Sequence, residues 1–224
     1  MIDTANLAEI KEAVSLYPIT GVTTNPSILK REGQIKLYSH LDKIAGLCAG
    51  RSLHVQVVSD DTAGIIEEAH VILDRLGRET YIKIPVSTAG LPAIKALASE
   101  GVHITATAVS SAGQGILAVL AGAEYIALYF NRMENAGADP ESALRDIRSF
   151  IDGSGSSAKI LAASFKNAGQ LTRAFSAGAH GATVGVDIIK SILSQPAVGA
   201  AVEGFRRDFE SVHGTGSTMK TVIE

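Results

Sequence analysis

The chain has 224 residues, 46% hydrophobic and 19% charged, which supplies a sizeable core and excludes an intrinsically disordered chain. Lys and Arg number 20 against 23 Asp and Glu, a formal net charge of -3, so the charge balance gives no sign of binding to nucleic acid or to an acidic membrane surface. The single cysteine, Cys48, excludes an internal disulfide and a thiolate metal cluster, and it suits a reducing cytoplasm. The N-terminal MIDTANLAEIKEAV has no basic segment leading into an apolar one, so no secretory signal is expected.

In chain order, short β-branched runs alternate with helical patterns. Strands are predicted at Ile2 to Asp3, Gly21 to Thr23, Leu53 to Val57, Tyr81 to Ile84, His103 to Ala106, Tyr125 to Leu128, Lys159 to Leu161 and Ala182 to Val184. Between them, helical windows run over Leu7 to Ser15, Asp61 to Leu76, Leu91 to Ser99, Ser110 to Leu120, Pro140 to Phe150, Ala168 to Ser176 and Val186 to Leu193. The uncharged stretch from Gly101 to Ala123 has the length of a membrane span. His103, Thr105, Thr107, Ser110, Ser111 and Gln114 interrupt it, and a buried strand followed by a small-residue helix accounts for it better. Asn25-Pro26 and Asp139-Pro140 read as an N-cap followed by proline in the first helical turn. Gly153 and Gly155 mark a polar loop before the seventh strand.

Strict alternation argues for a parallel sheet with right-handed crossovers. Eight such units predict an α/β chain folded as a single (β/α)8 TIM barrel. An open doubly wound sheet is the alternative, but no Gly-x-Gly-x-x-Gly turn follows the first strand. Val198, Val202, Phe205 and Phe209 stand at helical spacing and predict one additional C-terminal helix. The expected organisation is a barrel domain with that helix over residues 1–213, and a Gly/Ser/Thr tail over 214–224.

Barrel chemistry sits at the carboxyl ends of strands and in the loops that follow them. Asp3, Asn25, Gln56, Lys83, Thr107, Tyr129, Arg132, Ser164 and Lys166 occupy such positions, far apart in the chain. Lys83 stands among Ile82, Ile84 and Val86. If it points inward, desolvation disfavours its ammonium form and yields a free amine able to attack a ketone and form a Schiff base. The plainer alternative is a lysine that snorkels to solvent or pairs with Asp3. Tyr129 is a general acid/base or a rim aromatic, Thr107 holds a water or satisfies itself within the barrel, and Asp3 orients a hydroxyl or caps a helix. Asn25 is explained most cheaply as an N-cap, whereas Gln56 inside a strand needs the partners that a polar barrel centre supplies. Arg132, Ser164 and Lys166 together suit a phosphate dianion, against the alternative of a solvated rim. The histidines show no metal-ligand spacing, so no metal is expected, and neither a Walker loop nor a Gly-x-Ser-x-Gly elbow occurs.

The segments Gly21 to Ile28 (GVTTNPSI), Tyr81 to Val86 (YIKIPV), Gly101 to Val109 (GVHITATAV), Gly122 to Arg132 (GAEYIALYFNR) and Lys159 to Asn167 (KILAASFKN) resemble the transaldolase family, in its small fructose-6-phosphate aldolase-like branch. The resemblance runs from Ile2 to about Gly214. It implies a class I, Schiff-base aldolase on a (β/α)8 barrel that reversibly cleaves fructose 6-phosphate without a cofactor. Lys83 matches the family's Schiff-base lysine. Asp3, Asn25, Gln56 and Thr107 match residues that bind substrate hydroxyls and the catalytic water. Tyr129 matches the proton-transfer tyrosine of the aldolase branch, and Arg132, Ser164 and Lys166 match the phosphate positions, with lysine where true transaldolases typically carry arginine.

True transaldolases carry glutamate in place of Gln56 and phenylalanine in place of Tyr129, which favours aldol cleavage over transfer of a dihydroxyacetone unit to erythrose 4-phosphate, the alternative reaction. A non-catalytic sugar-phosphate-binding barrel is the alternative of another class. Ser110 and Thr105 depart from the aldolase pattern, leaving the preferred donor and acceptor open. The resemblance further implies small sugar-phosphate substrates and a homo-oligomer, a decamer of stacked pentamers with exchanged C-terminal helices, beside the cytoplasmic setting and the absence of nucleic-acid and membrane partners read above from Cys48 and the charge balance.

Overall fold

The structure, a computed structural model, describes residues 1–222; the last two residues of the expected 214–224 tail lie outside the described residues. The order is β1 (Ile2–Asp3), α1 (Leu7–Leu16), β2 (Gly21–Thr23), α2 (Pro26–Leu29), a 3-10 turn (Lys30–Glu32), α3 (Leu37–Cys48), β3 (Ser52–Gln56), α4 (Thr62–Leu76), β4 (Tyr81–Pro85) and α5 (Gly90–Ser99). It continues with β5 (Ile104–Val109), α6 (Ala112–Leu120), β6 (Tyr125–Leu128), α7 (Phe130–Asn135), α8 (Pro140–Ser154), β7 (Lys159–Ala162), α9 (Ala168–Ser176), β8 (Gly181–Ala182), α10 (Val186–Leu193) and α11 (Pro196–His213).

The eight strands pair in parallel in sequence order. A bridge from Ile2 to Val184, just past β8, joins the two edges. There the Asp3 N–H donates to the Val184 carbonyl at 2.8 Å, and the Val184 N–H donates to the Met1 carbonyl at 3.3 Å. This is the (β/α)8 barrel that the alternation predicts. The stretch from Gly101 to Ala123 becomes β5 and α6, and among the described residues no helix is long and apolar enough to cross a membrane.

Caps set the helix starts. The Asn25 side chain accepts from the Ile28 N–H ahead of Pro26, and the Asp139 side chain accepts from Glu141 and Ser142 ahead of Pro140. The loop expected at Gly153 and Gly155 is shorter than the sequence suggests. Helix α8 runs through Gly153 to Ser154, and Gly155, at φ 66°, ends it by donating its N–H to the Ile151 carbonyl. Helix α7 was not expected: six residues are too few to show a helical period.

Within the strands, alternate residues serve two cores. Ile82, Ile84, Ile104, Ala106, Ile126 and Leu128 have no exposed surface, and each large one contributes about 2 kcal/mol by leaving water. Between them stand residues that touch across non-adjacent strands, which only the barrel interior allows. His54 Nδ1 on β3 meets Thr105 Oγ1 on β5 at 2.7 Å, and Thr23 Oγ1 on β2 meets Thr183 Oγ1 beyond β8 at 2.6 Å. The barrel axis is therefore polar and aromatic. His54 stacks on Tyr81 with ring centroids 4.5 Å apart, and Tyr81 stacks on His103 at 4.8 Å and meets Tyr125 edge-on at 5.4 Å. The Tyr81 hydroxyl donates to Glu124 at 3.1 Å. Burial first, then the Glu124 charge, push this phenol up to about 12. Cys48 is buried in the core, and burial pushes its thiol up to about 11.

The chain forms two compact units, Met1–Val186 and Asp187–Glu224. The first contains the whole eight-stranded sheet. The second contains most of α10 and all of α11, where Val198, Val202, Phe205 and Val212 are exposed and Phe209 packs on His213 at 4.5 Å.

A single glycine tests how closely α5 is seated on the strand that carries Lys83. A Cβ at Gly90 would lie 1.9 Å from the Pro85 carbonyl oxygen, so backbone must move to admit it. Gly90→Ala is expected to lower stability by about 3 kcal/mol, read as a drop in melting temperature of roughly 6–12 °C. An unchanged melting temperature would show that the α5 start is free to shift.

Candidate functional site

A cavity of about 260 Å³ opens at the carboxyl ends of the strands. Asp3, Asn25, Lys83, Thr107, Tyr129, Arg132, Ser164 and Lys166, scattered from residue 3 to residue 166, all line it. Gln56 does not. It ends β3, with its Cα paired to that of Lys83, and lines a neighbouring cavity with Pro26, Leu29 and Tyr38. Its Oε1 is buried there without a hydrogen-bond partner. As the last residue of its strand it sits at the rim, where the cleft beside α2 competes with the barrel axis for its side chain.

Lys83 is 5% exposed. Strand β4 holds it by burying Ile82 and Ile84 on the opposite face. Its Nζ donates to the Thr24 carbonyl at 2.7 Å. Burial pulls the ammonium below the usual lysine range, opposed by the Asp3 carboxylate. Asp3 Oδ1 accepts from the Thr23 hydroxyl at 2.7 Å. One wall of the cavity is the pair Thr107 Oγ1 and Tyr129 OH, 3.2 Å apart. The Arg132 guanidinium lies 4.6 Å above the Tyr129 ring centre.

The loops at this end are bent to aim side chains inward. Strand β5 is irregular between Ala106 and Val109, where Ala108 adopts φ 57°. Ser164 adopts φ 64°, a left-handed conformation unfavourable for serine, while its carbonyl accepts from the Asn131 N–H at 3.0 Å. Gln170, 5% exposed, ties the loop that carries Lys166 to helix α7, which carries Arg132. Its Oε1 accepts from the Lys166 N–H at 2.7 Å, and its Nε2 donates to Asn131 at 2.9 Å and to Glu134 at 2.5 Å.

The lining also holds residues that the sequence analysis did not single out: Ser27, Arg31, Thr183 and Phe165. Position after a strand was the available signal for each, but surface arginines and barrel threonines are too common for it to decide. Arg31, Arg132 and Lys166 give the mouth a cationic character, and Asp3 is the one carboxylate among the described residues of the lining. The cavity thus combines a dehydrated amine, a hydroxyl pair beside it, and cations at the entrance. That set can attack a carbonyl, move a proton and hold an anionic group.

Lys83 has a measurable cost in stability. With its folded pKa below the unfolded value of 10.5, the unfolded chain binds the proton more tightly. Stability therefore rises with pH through the window between those two values, and the penalty is complete below it. Lys83→Met is expected to raise the melting temperature at pH 7, with an advantage over the parent that shrinks as pH approaches 10. A melting temperature below the parent's at pH 7 would show that the Thr24 and Asp3 contacts outweigh dehydration.

Comparison with known proteins relates the chain, over nearly its full length, to a family and to a relative within it. The family model described as "Transaldolase/Fructose-6-phosphate aldolase" matches residues 1–224. A relative from Streptococcus pneumoniae (strain ATCC 700669 / Spain 23F-1), named "Probable fructose-6-phosphate aldolase", is 46% identical over 218 residues, 97% of this chain and 98% of the relative.

Proposed function

Because the chain belongs to the transaldolase/fructose-6-phosphate aldolase family, we propose that it is a Schiff-base aldolase that reversibly cleaves fructose 6-phosphate to dihydroxyacetone and glyceraldehyde 3-phosphate. The observation that carries this reading is Lys83: an amine 5% exposed, its proton affinity lowered by burial, opening into a cavity with cations at its mouth.

Lys83 adds to the ketone carbon, C2, and loss of water leaves a protonated imine. A base takes the proton from the C4 hydroxyl. The C3–C4 bond breaks, its electron pair flows into the imine to give an enamine, and the aldehyde forms at C4. Protonation of the enamine at C3 and hydrolysis of the imine release dihydroxyacetone and restore the amine. Tyr129 and Thr107 are assigned to the proton transfers, since their oxygens are 3.2 Å apart and share the cavity with Lys83. Gln56 lines the neighbouring cavity, so the proton relay is assigned to the hydroxyl pair without it. Asp3 and Asn25 bind substrate hydroxyls. Arg132, Ser164 and Lys166 hold the phosphate and fix the scissile bond over the imine, which contributes through positioning.

The exposed Val198, Val202, Phe205 and Val212 of α11 support the further proposal that copies associate through this helix into a homo-oligomer, with a decamer as the expected form. The sugar-phosphate chemistry and lone Cys48 support a cytoplasmic setting.

Two measurements test the assignment. Release of glyceraldehyde 3-phosphate from fructose 6-phosphate is expected without erythrose 4-phosphate present; release only with that acceptor would make the protein a transaldolase. Borohydride in the presence of substrate should add the reduced adduct's mass to Lys83, and Lys83→Met should lose both the adduct and turnover. Tyr129→Phe should slow cleavage about 100-fold while affecting transfer to an acceptor less. Substantial turnover by Lys83→Met would rule out the Schiff base on this residue.

A further inference from the structure

The cavity has a floor as well as a mouth, and the floor is built around a histidine outside the chemistry described above. Thr105 stands on β5 with its Cα paired to that of Lys83. It has no exposed surface, yet it lines the cavity. Its Oγ1 lies 2.7 Å from His54 Nδ1, and His54 Nε2 lies 3.0 Å from Ser52 Oγ. The imidazole is clamped by the Tyr81 stack at 4.5 Å and the Tyr125 edge at 5.5 Å. Burial first, then the Lys83 and N-terminal charges, push it down to about 3, which favours the neutral imidazole near pH 7.

Resting on the Schiff-base reading, we propose that Thr105, positioned by His54, is the residue that selects a donor ketone bearing a hydroxyl on its non-reacting carbon. The orientation of the substrate leads to this. The phosphate end is drawn to Arg31, Arg132 and Lys166 at the mouth, and C2 is bonded to Lys83. C1, the end remote from the phosphate, is then left facing the floor. The floor offers few polar groups with capacity to spare. The Thr23 hydroxyl is already shared among Asp3 at 2.7 Å, Thr183 at 2.6 Å and the Ile2 carbonyl at 3.4 Å. Thr107 is engaged with Tyr129. Among the described residues, Thr105 has His54 as its hydrogen-bond partner and retains capacity on the cavity side.

What that capacity is depends on the tautomer. If His54 Nδ1–H donates to Thr105, the threonine proton is free to donate to the ligand. If Nδ1 accepts, a threonine lone pair is free to accept from it. A hydroxyl, being donor and acceptor at once, complements both arrangements. A methyl complements neither and leaves Thr105 half-paired in a dry pocket. A phosphate at this end is disfavoured by the nearby Asp3 carboxylate.

The test uses the intact chain with glyceraldehyde 3-phosphate as acceptor and two donors, dihydroxyacetone and hydroxyacetone, which has a methyl in place of one hydroxymethyl group. The parent enzyme is expected to favour dihydroxyacetone in kcat/KM. Thr105→Val should cut that preference about tenfold, the effect of one neutral hydrogen bond, chiefly through KM for dihydroxyacetone. Thr105→Ser should keep the preference. His54→Phe should reproduce the Thr105→Val result, and His54→Asn, which returns a polar group near the Nδ1 position, should restore much of it. A packing role alone would change both donors together. Borohydride trapping separates the failures. A trapped Lys83 adduct with a donor preference unmoved by Thr105→Val overturns the donor assignment alone. No trapped adduct from either donor in the parent overturns the Schiff-base reading and the donor assignment with it.

Discussion

A lysine amine in a nearly dry barrel is the constraint on which the rest of the site depends. Lys83 stays inside because turning it out would expose Ile82 and Ile84, which have no contact with solvent. The parallel strand is buried on both faces, and its two-residue alternation leaves the side chain no other direction. Dehydration lowers the amine's proton affinity, and the Thr24 carbonyl and the Asp3 carboxylate moderate the penalty without cancelling it. The stability lost there and the nucleophilicity gained are two consequences of the same burial.

The interior of this barrel departs from the branched-aliphatic filling common to the fold. Below Lys83 the axis is filled by His54, Tyr81 and Tyr125, whose rings pack face to face and edge to face while their polar atoms find partners in Thr105, Ser52 and Glu124. Such a network holds its members in fixed positions because each lost partner would leave a buried polar atom unpaired. Above Lys83 the construction differs. Ser164 and Ala108 hold left-handed backbone conformations, and Gln170 links helix α7 to the loop after β7. A rigid floor and strained, cross-linked upper loops together give a cavity with a hydroxyl-lined base and a cationic mouth.

The division of charge along the cavity follows from chain topology. Arg31 follows β2 and Arg132 follows β6, four strands apart in a ring of eight, so they approach from opposite sides. Asp3 comes from β1 and reaches the interior. A ligand with one anionic end and several hydroxyls therefore has one favourable orientation, with its charged end outward.

Alternation of β-branched runs with helical windows was enough to locate all eight strands and most helices, because the two periods are local properties of the chain. The capping pairs Asn25-Pro26 and Asp139-Pro140 were equally local, and both form as read. The short α7 escaped notice, as did the extension of α8 through Gly153, since neither has a period long enough to read. The candidate site was legible as a set of polar residues at strand ends, but the YIKIP pattern left open whether Lys83 points inward or snorkels to solvent. Only the closed ring decided which of those residues share a cavity. It brought residues 3 to 166 together, added Arg31, Ser27 and Thr183, and left Gln56 in the adjoining cleft. The His54–Thr105 pairing belongs to the same category. Residues 51 positions apart on strands that are not neighbours meet across the axis, and no local pattern encodes a contact that exists only once the sheet has closed.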